Sequence, residues 1–261
     1  FNFETLKNIS QFPDITFFKK LGVDVSKDDE VLKNYIRAQE EINKKNKKAI
    51  TFLKTHSTLH SINSHKFTNY QNTCGVIYIV RDPRNVVLSY ANHNQITIEQ
   101  AVKALKSFRV LGGVKNSNIA ADRGLTHVGS WSSHYNVWKE FKKTNRYLLI
   151  KYEDFMHSPQ DELERLIDFW QKTSLLTPQE TQSCKQNLEI LMTNIDHHKQ
   201  KSLDKYRKDG HLALTQNTQL KSAPKDDCSN HFLTKIDDVF KKTAPTLYDK
   251  YLSDYAEVAD V

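Results

Sequence analysis

Apolar residues along the chain fall into two rhythms. Short, near-continuous runs mark strands. Gly75-Val76-Ile77-Tyr78-Ile79-Val80 is the strongest of these. Ala49-Ile50-Thr51-Phe52-Leu53-Lys54-Thr55-His56 predicts a buried strand that ends in polar residues, and Tyr147-Leu148-Leu149-Ile150 a third that ends at Lys151-Tyr152-Glu153-Asp154. Helical spacing occupies residues 27–46, where Val31, Tyr35, Ile36 and Ala38 mark one face, and recurs over 98–110, 129–143 and about 233–252. Residues 1–25 mix aromatics with turn residues and predict irregular chain with a short helix near Phe17. Residues 57–73, rich in Ser, Asn and His, predict a loop, and the polar, Lys-rich stretch 193–227 a long surface segment.

Helix starts are punctuated. Asp82-Pro83 supplies an N-cap followed by proline at the first helical position, so residues 75–90 read as strand, tight turn, helix. Ser158-Pro159-Gln160-Asp161 opens another helix with a cap, a proline and an acid, and Thr177-Pro178-Gln179-Glu180 has the form of a capping box. Strands without alternation, separated by helices, predict an α/β fold: one three-layer domain over residues 1–261, with a central parallel sheet flanked by helices.

Composition narrows the classes. The 261 residues include 38 Lys and Arg against 31 Asp and Glu, a formal net charge of +7, and hydrophobic residues make up 38%. Such a chain can bury a core. The basic balance leaves nucleic acid, a phosphorylated cofactor and an acidic lipid surface open as partners, and is equally compatible with no anionic partner. No stretch approaches the ~18 apolar residues of a membrane span. Cys74, Cys184 and Cys228 lie far apart with no C-x-x-C pair, which excludes a disulfide scaffold and fits a reducing compartment. No charged-then-apolar leader follows Phe1, so no secretory signal is visible and the chain is expected to begin inside a longer protein. Neither G-x-G-x-x-G, G-x-x-x-x-G-K-[ST] nor G-x-S-x-G occurs, so the common nucleotide loops and the serine-hydrolase elbow are missing.

Ligands of open parallel sheets bind beyond the carboxyl ends of the strands. Three such ends carry polar groups: Lys54-Thr55-His56, Arg81-Asp82-Pro83-Arg84 and Lys151-Tyr152-Glu153-Asp154. Arg81 beside a helix N-terminus suits a phosphate; its alternative is an ion pair with Asp82 or another surface acid. His56 suits proton transfer, since an imidazole ordinarily titrates near neutral pH, against a purely structural role, and Lys54 could stabilise developing negative charge, against pointing to solvent. His56 and His60 have the i, i+4 spacing of a metal pair, but Ser57 replaces the Glu of H-E-x-x-H and the segment follows a strand, so no metal is expected. His197-His198 reads as solvated. The basic run Lys44, Lys45, Lys47 and Lys48 has no interleaved aromatics and reads as a solvated helix end, so no nucleic-acid partner is expected.

Taken together, these blocks resemble the sulfotransferases that use 3′-phosphoadenosine 5′-phosphosulfate (PAPS), across about residues 49–252. Phe52-Leu53-Lys54-Thr55-His56 is similar to the family's Lys-Thr-His strand, whose His is the catalytic base. Val80-Arg81-Asp82-Pro83-Arg84-Asn85-Val86-Val87-Leu88-Ser89-Tyr90 resembles its 3′-phosphate block, in which an Arg and a Ser eight residues later bind that phosphate; Arg81 and Ser89 keep the spacing. Gly129-Ser130-Trp131-Ser132-Ser133-His134-Tyr135-Asn136-Val137-Trp138 resembles the Gly-Ser-Trp…His…Trp helix, and Leu149-Ile150-Lys151-Tyr152-Glu153-Asp154-Phe155 the block whose Tyr approaches adenine.

The resemblance implies a P-loop NTPase-like fold, with His56 and Lys54 catalytic and Arg81, Ser89, Tyr152 and Lys221 on the nucleotide. It implies a cytoplasmic enzyme acting on a small-molecule, carbohydrate or lipid acceptor. The family's Lys-Ser-Gly-Thr-Thr-Trp phosphosulfate loop has no counterpart here, so the chain reads as a fragment or as a version lacking its first strand. For the late Arg-Lys-Gly, Lys221 with Asn230-His231-Phe232 competes with Arg207-Lys208-Asp209-Gly210. Two rival readings are a non-catalytic module binding a 3′-phosphonucleotide and a P-loop nucleotide kinase.

Overall fold

A computed structural model describes residues 9–45, 51–112, 124–190 and 192–193. It is an α/β chain. In order, the elements are β1 (Ser10–Gln11), α1 (Ile15–Lys20), α2 (Asp28–Lys33), α3 (Tyr35–Lys45), β2 (Leu53–Lys54), β3 (Val76–Val80), α4 (Pro83–His93), α5 (Ile98–Lys106), β4 (Arg109–Leu111), β5 (Thr126–Val128), α6 (Trp131–Trp138), a 3-10 helix (Lys139–Thr144), β6 (Tyr147–Lys151), α7 (Tyr152–His157), α8 (Pro159–Lys172) and α9 (Pro178–Gln186). The chain packs as two compact units woven from separate stretches. The first takes Phe1–Tyr78, Ser107–Leu149 and Asp168–Thr177; the second takes Ile79–Lys106, Ile150–Ile167 and Pro178–Val261.

The first unit is built on an aromatic core. Phe12, Phe18, Tyr35, Phe67, Trp138 and Phe141 are all buried, and Phe12 meets four other rings at centroid distances of 5.7–6.0 Å. The polar groups carried inside are satisfied there: the Tyr35 hydroxyl donates to the Leu125 carbonyl at 2.5 Å, and Gln39 Nε2 to the Phe67 carbonyl at 2.7 Å. β1 and β2 pair in parallel, Ser10 opposite Leu53 and Gln11 opposite Lys54. β4 and β5 pair antiparallel, with Val110 opposite His127. β3 is hydrogen-bonded to β6, and the boundary between the units falls within both strands.

In the second unit α4 packs on α5 through Val87, Ala91, Ala101, Val102 and Leu105, all buried. The start of α4 is as the sequence predicts: the Asp82 carboxylate accepts from Arg84 N at 2.8 Å and Pro83 follows at the first helical position.

Five sequence expectations need correction. The buried strand over 49–56 is, among the described residues, a strand only at Leu53–Lys54, with 52, 54 and 56 exposed, because one side of it is left uncovered. The helix over 27–46 is two helices, broken at Asn34 (φ −99°, ψ 7°), which caps α2. The helix over 98–110 ends at Lys106, because Arg109–Leu111 find a distant strand to pair with. Within 1–25 the helix near Phe17 is present, but Ser10–Gln11 form a strand. The helix over 129–143 begins at Trp131, capped by the Ser130 side chain, and tightens to 3-10 from Lys139. Residues 194–227, the helix near 233–252, Lys221, His197-His198, Lys47-Lys48 and Arg207–Gly210 lie outside the described residues.

Candidate functional site

Lys54 and His56 belong to the first unit. From Thr51 to His56 the chain alternates, with 52, 54 and 56 exposed and 51, 53 and 55 half-buried. An extended chain does this because successive side chains leave on opposite sides. Leu53 packs on the aromatic core, which turns Lys54 and His56 together to the open side. Phe52 shares that side and lies edge-on against Trp170, centroids 5.9 Å apart. The Lys54 carbonyl is fixed by Phe12 N at 2.8 Å.

After His56 the backbone dives inward. Ser57 and Thr58 are each 1% exposed. Ser57 N donates to Thr55 Oγ1 at 3.0 Å, and Thr58 N to the His127 carbonyl at 2.7 Å. Trp138 Nε1 donates to the Ser57 carbonyl at 3.0 Å. One turn earlier on α6, His134 is half-buried; desolvation pushes its imidazole down to about 4, while the nearby backbone of His56 and Ser57 pulls the other way. Its Nδ1 lies 2.8 Å from the Tyr78 hydroxyl, which burial holds well above the usual tyrosine range.

Arg81, Ser89 and Tyr152 belong to the second unit. Two guanidiniums stand within three residues of one another, and they divide their partners. Arg84 takes both oxygens of the buried Asp82 carboxylate, Nε at 3.0 and 3.1 Å and Nη2 at 2.6 Å. The acid closest to Arg81 in sequence is therefore occupied. Arg81 instead lies over the Tyr152 ring, 4.5 Å from its centroid. Its Nε is 3.9 Å from Glu153 Oε1, too long for a hydrogen bond, and is buried without a hydrogen-bond partner. Glu153 Oε1 accepts from Asp82 N at 3.2 Å, which ties the start of α7 to the turn before α4. Lys151, on the same turn, is 3.6 Å from Asp154. Ser89 is exposed on α4, six residues past Pro83 and hence ~9 Å along the helix axis.

The structure thus brings Lys54 and His56 onto one face, and Arg81 onto Tyr152, and leaves Ser89 two turns away. Among the described residues no group of three or more His, Cys, Asp or Glu side chains could hold a metal ion, and no helix is long and apolar enough to cross a membrane.

Residues 4–249 match the family model described as the sulfotransferase domain. The chain belongs to the sulfotransferase family. Sulfotransferase 2A2 of Rattus norvegicus is 25% identical over 175 residues, 66% of this chain and 56% of that protein. Sulfotransferase 2A6 of the same species is 25% identical over 198 residues, 75% of this chain and 63% of its own length. The chain therefore spans less than two thirds of these relatives. Among solved structures, a mouse sulfotransferase complexed with PAP superposes with a TM-score of 0.39 at 15% identity, covering 85% of this chain and 74% of that one.

Three contributors to this family member's geometry escape a reading by motif alone. Arg84 satisfies Asp82 in place of Arg81, a pairing signalled only by a basic residue two positions past an N-cap acid. Glu153 sits inside the quoted Tyr-Glu-Asp block yet reaches back to Asp82. Tyr78, in the middle of an apolar run, meets His134.

Proposed function

We propose that this chain transfers a sulfuryl group from PAPS to a hydroxyl or amine of a small-molecule, carbohydrate or lipid acceptor. The observation that carries the reading, beside the family match, is the state of Arg81: a guanidinium whose Nε is buried without a hydrogen-bond partner and only 3.9 Å from Glu153, whose sequence neighbour Asp82 is held by Arg84, and which lies on an aromatic ring. That donor set fits a ribose 3′-phosphate dianion beside a stacked base. PAPS supplies the sulfuryl group and departs as adenosine 3′,5′-bisphosphate. Arg81 anchors the 3′-phosphate, Ser89 offers a hydroxyl to the same group, and Tyr152 presents its ring to adenine. Lys221, outside the described residues, is assigned to the same phosphate by its place in the sequence. Lys54 offers an ammonium to charge growing on the transferring group. His56, two residues on along the same face, takes the acceptor's proton.

The whole chain is read as one domain, since the family match runs through stretches of both units. Cys74 and Cys184 are free, which suits action in the cytoplasm. A second reading, nucleotide binding without transfer, draws on the same placement of Arg81 over Tyr152.

Radiolabelled PAPS with a panel of hydroxyl and amine acceptors tests both. Labelled product that falls by ~10²–10⁴ in His56→Ala supports transfer with this base. Undiminished turnover in His56→Ala refutes the base. Adenosine 3′,5′-bisphosphate binding with no product selects the second reading, and no binding at all removes both.

A further inference from the structure

We infer that Thr55 is a positioning residue: its side-chain oxygen takes the Ser57 N–H and closes a turn whose middle residue is His56, holding the imidazole on the face it shares with Lys54. The inference rests on the proposed role of His56 and adds a side chain from the opposite side of the same stretch.

The Ser57 N–H does not continue a ladder. It turns back on its own chain, to Thr55 Oγ1 at 3.0 Å. The ring closed by this bond contains both backbone torsions of His56 and both of no other residue. One side-chain oxygen thus restrains the two angles that decide where the imidazole leaves the backbone. The ends of the turn are held from further away. On the near side the Lys54 carbonyl accepts from Phe12 N at 2.8 Å. On the far side the Ser57 carbonyl accepts from Trp138 Nε1 at 3.0 Å, and that indole sits in the aromatic core, with ring centroids 6.0 Å from Phe67 and 5.9 Å from Phe141. Thr58 N donates to the His127 carbonyl of β5 at 2.7 Å. The core therefore pins residues 54, 57 and 58, and the link across His56 falls to Thr55.

The residue type is specific to that task. Valine suits an extended position as well as threonine and has nearly its shape, but only the hydroxyl oxygen can receive an N–H. Ser57 is 1% exposed, so water cannot take over as acceptor. Without Oγ1 the peptide joining residues 56 and 57 rotates toward another partner, and the exposed His56 side chain turns with it. A proton acceptor that must meet its substrate at hydrogen-bond distance is sensitive to such a shift.

The test is steady-state kinetics on the full chain, with radiolabelled PAPS and the panel acceptor that gives most product. Thr55→Val is expected to lower kcat roughly tenfold and to leave the Kd for adenosine 3′,5′-bisphosphate unchanged, because a misaimed base slows proton transfer without disturbing the nucleotide. Thr55→Ser keeps the oxygen and is expected to restore kcat. In a His56→Ala background Thr55→Val is expected to cost nothing further, since the hydroxyl acts through the imidazole. Native kcat in Thr55→Val, a serine variant no better than the valine one, or full additivity in the double variant each overturn the inference. If the valine variant does not fold, or the native chain forms no product, amide hydrogen exchange at Ser57 in Thr55→Ala decides: exchange roughly tenfold faster than native supports the inference and unchanged exchange overturns it. Native turnover in His56→Ala removes the base and this role together, whereas a slowed His56→Ala beside a native-rate Thr55→Val removes this role alone.

Discussion

Arg81→Met removes the guanidinium and keeps an unbranched stem that can still lie over Tyr152, so it isolates the charge. A guanidinium on a phosphate makes charge-assisted hydrogen bonds worth ~1.5–3 kcal/mol. Against this stands what Arg81 gives up when it turns to the phosphate. Its approach to Glu153 is 3.9 Å, with both side chains about a third exposed (35% and 36%). A pair of that kind contributes ~0–1 kcal/mol. The net loss on substitution is about 2 kcal/mol, or roughly 30-fold in affinity. Titration calorimetry with two nucleotides reads it out. Adenosine 3′,5′-bisphosphate is expected to weaken by that factor, and adenosine 5′-phosphate, which lacks the 3′-group, to bind as before. Glu153→Gln keeps an acceptor for Asp82 N, removes the competing charge and is expected to tighten the bisphosphate roughly threefold. Equal losses for both nucleotides in Arg81→Met, or no loss for either, would refute the assignment of Arg81 to the 3′-phosphate.

Acid stability should report on His134. Folding holds this imidazole neutral down to about 4, whereas the unfolded chain takes up the proton at the ordinary 6.5. The folded value is the lower one, so the associated stability is complete above that ordinary value and is lost as pH falls from there toward the folded value, by about 3 kcal/mol in all. Urea midpoints across this window should fall less steeply for His134→Gln than for the native chain, and parallel curves would contradict the neutral assignment. Gly124→Ala tests a close approach of another kind. Its Cβ would stand 2.8 Å from both the carbonyl carbon and oxygen of Pro13 and 3.0 Å from Asp14 N, all backbone atoms that cannot rotate away. A loss of ~1–3 kcal/mol in denaturant unfolding is expected, and an unchanged midpoint would show that the Pro13 segment yields freely.

Much of this geometry was legible locally. Asp82-Pro83 announces the start of α4 because the cap acceptor and the fixed φ of proline act within one turn, and the structure shows both. The strand at 147–150 is observed over Tyr147–Lys151, since its buried faces leave a continuous apolar run. What the sequence could not reveal depends on partners far along the chain. Ser10–Gln11 has no periodicity to detect and is a strand only because Leu53–Lys54 lies beside it. Arg109–Leu111 extends a helical rhythm on paper, yet pairs with Thr126–Val128. The site shows the same limit. The spacing of Arg81 and Ser89 is visible as letters, but the division of Asp82 and Glu153 between Arg84 and Arg81 is settled by side-chain packing. The partner of His134 is likewise remote: the Tyr78 hydroxyl comes from a strand more than fifty positions earlier.

The alternation from Thr51 to His56 gives this stretch a parity. Its anchors are Leu53, seated in the aromatic core, and the Lys54 carbonyl, fixed by Phe12. Adding or removing one residue between those anchors and Ser57 would exchange the sides of the residues that lie between, turning the His56 imidazole away from the face it shares with Lys54. The region therefore accepts side-chain replacement far more readily than any change of odd length. Between Thr58 and the next core anchor, Phe67, whose carbonyl Gln39 holds, the chain is not an alternating strand and no such counting rule applies, so variation in loop length can accumulate there while the face bearing Lys54 and His56 stays in place.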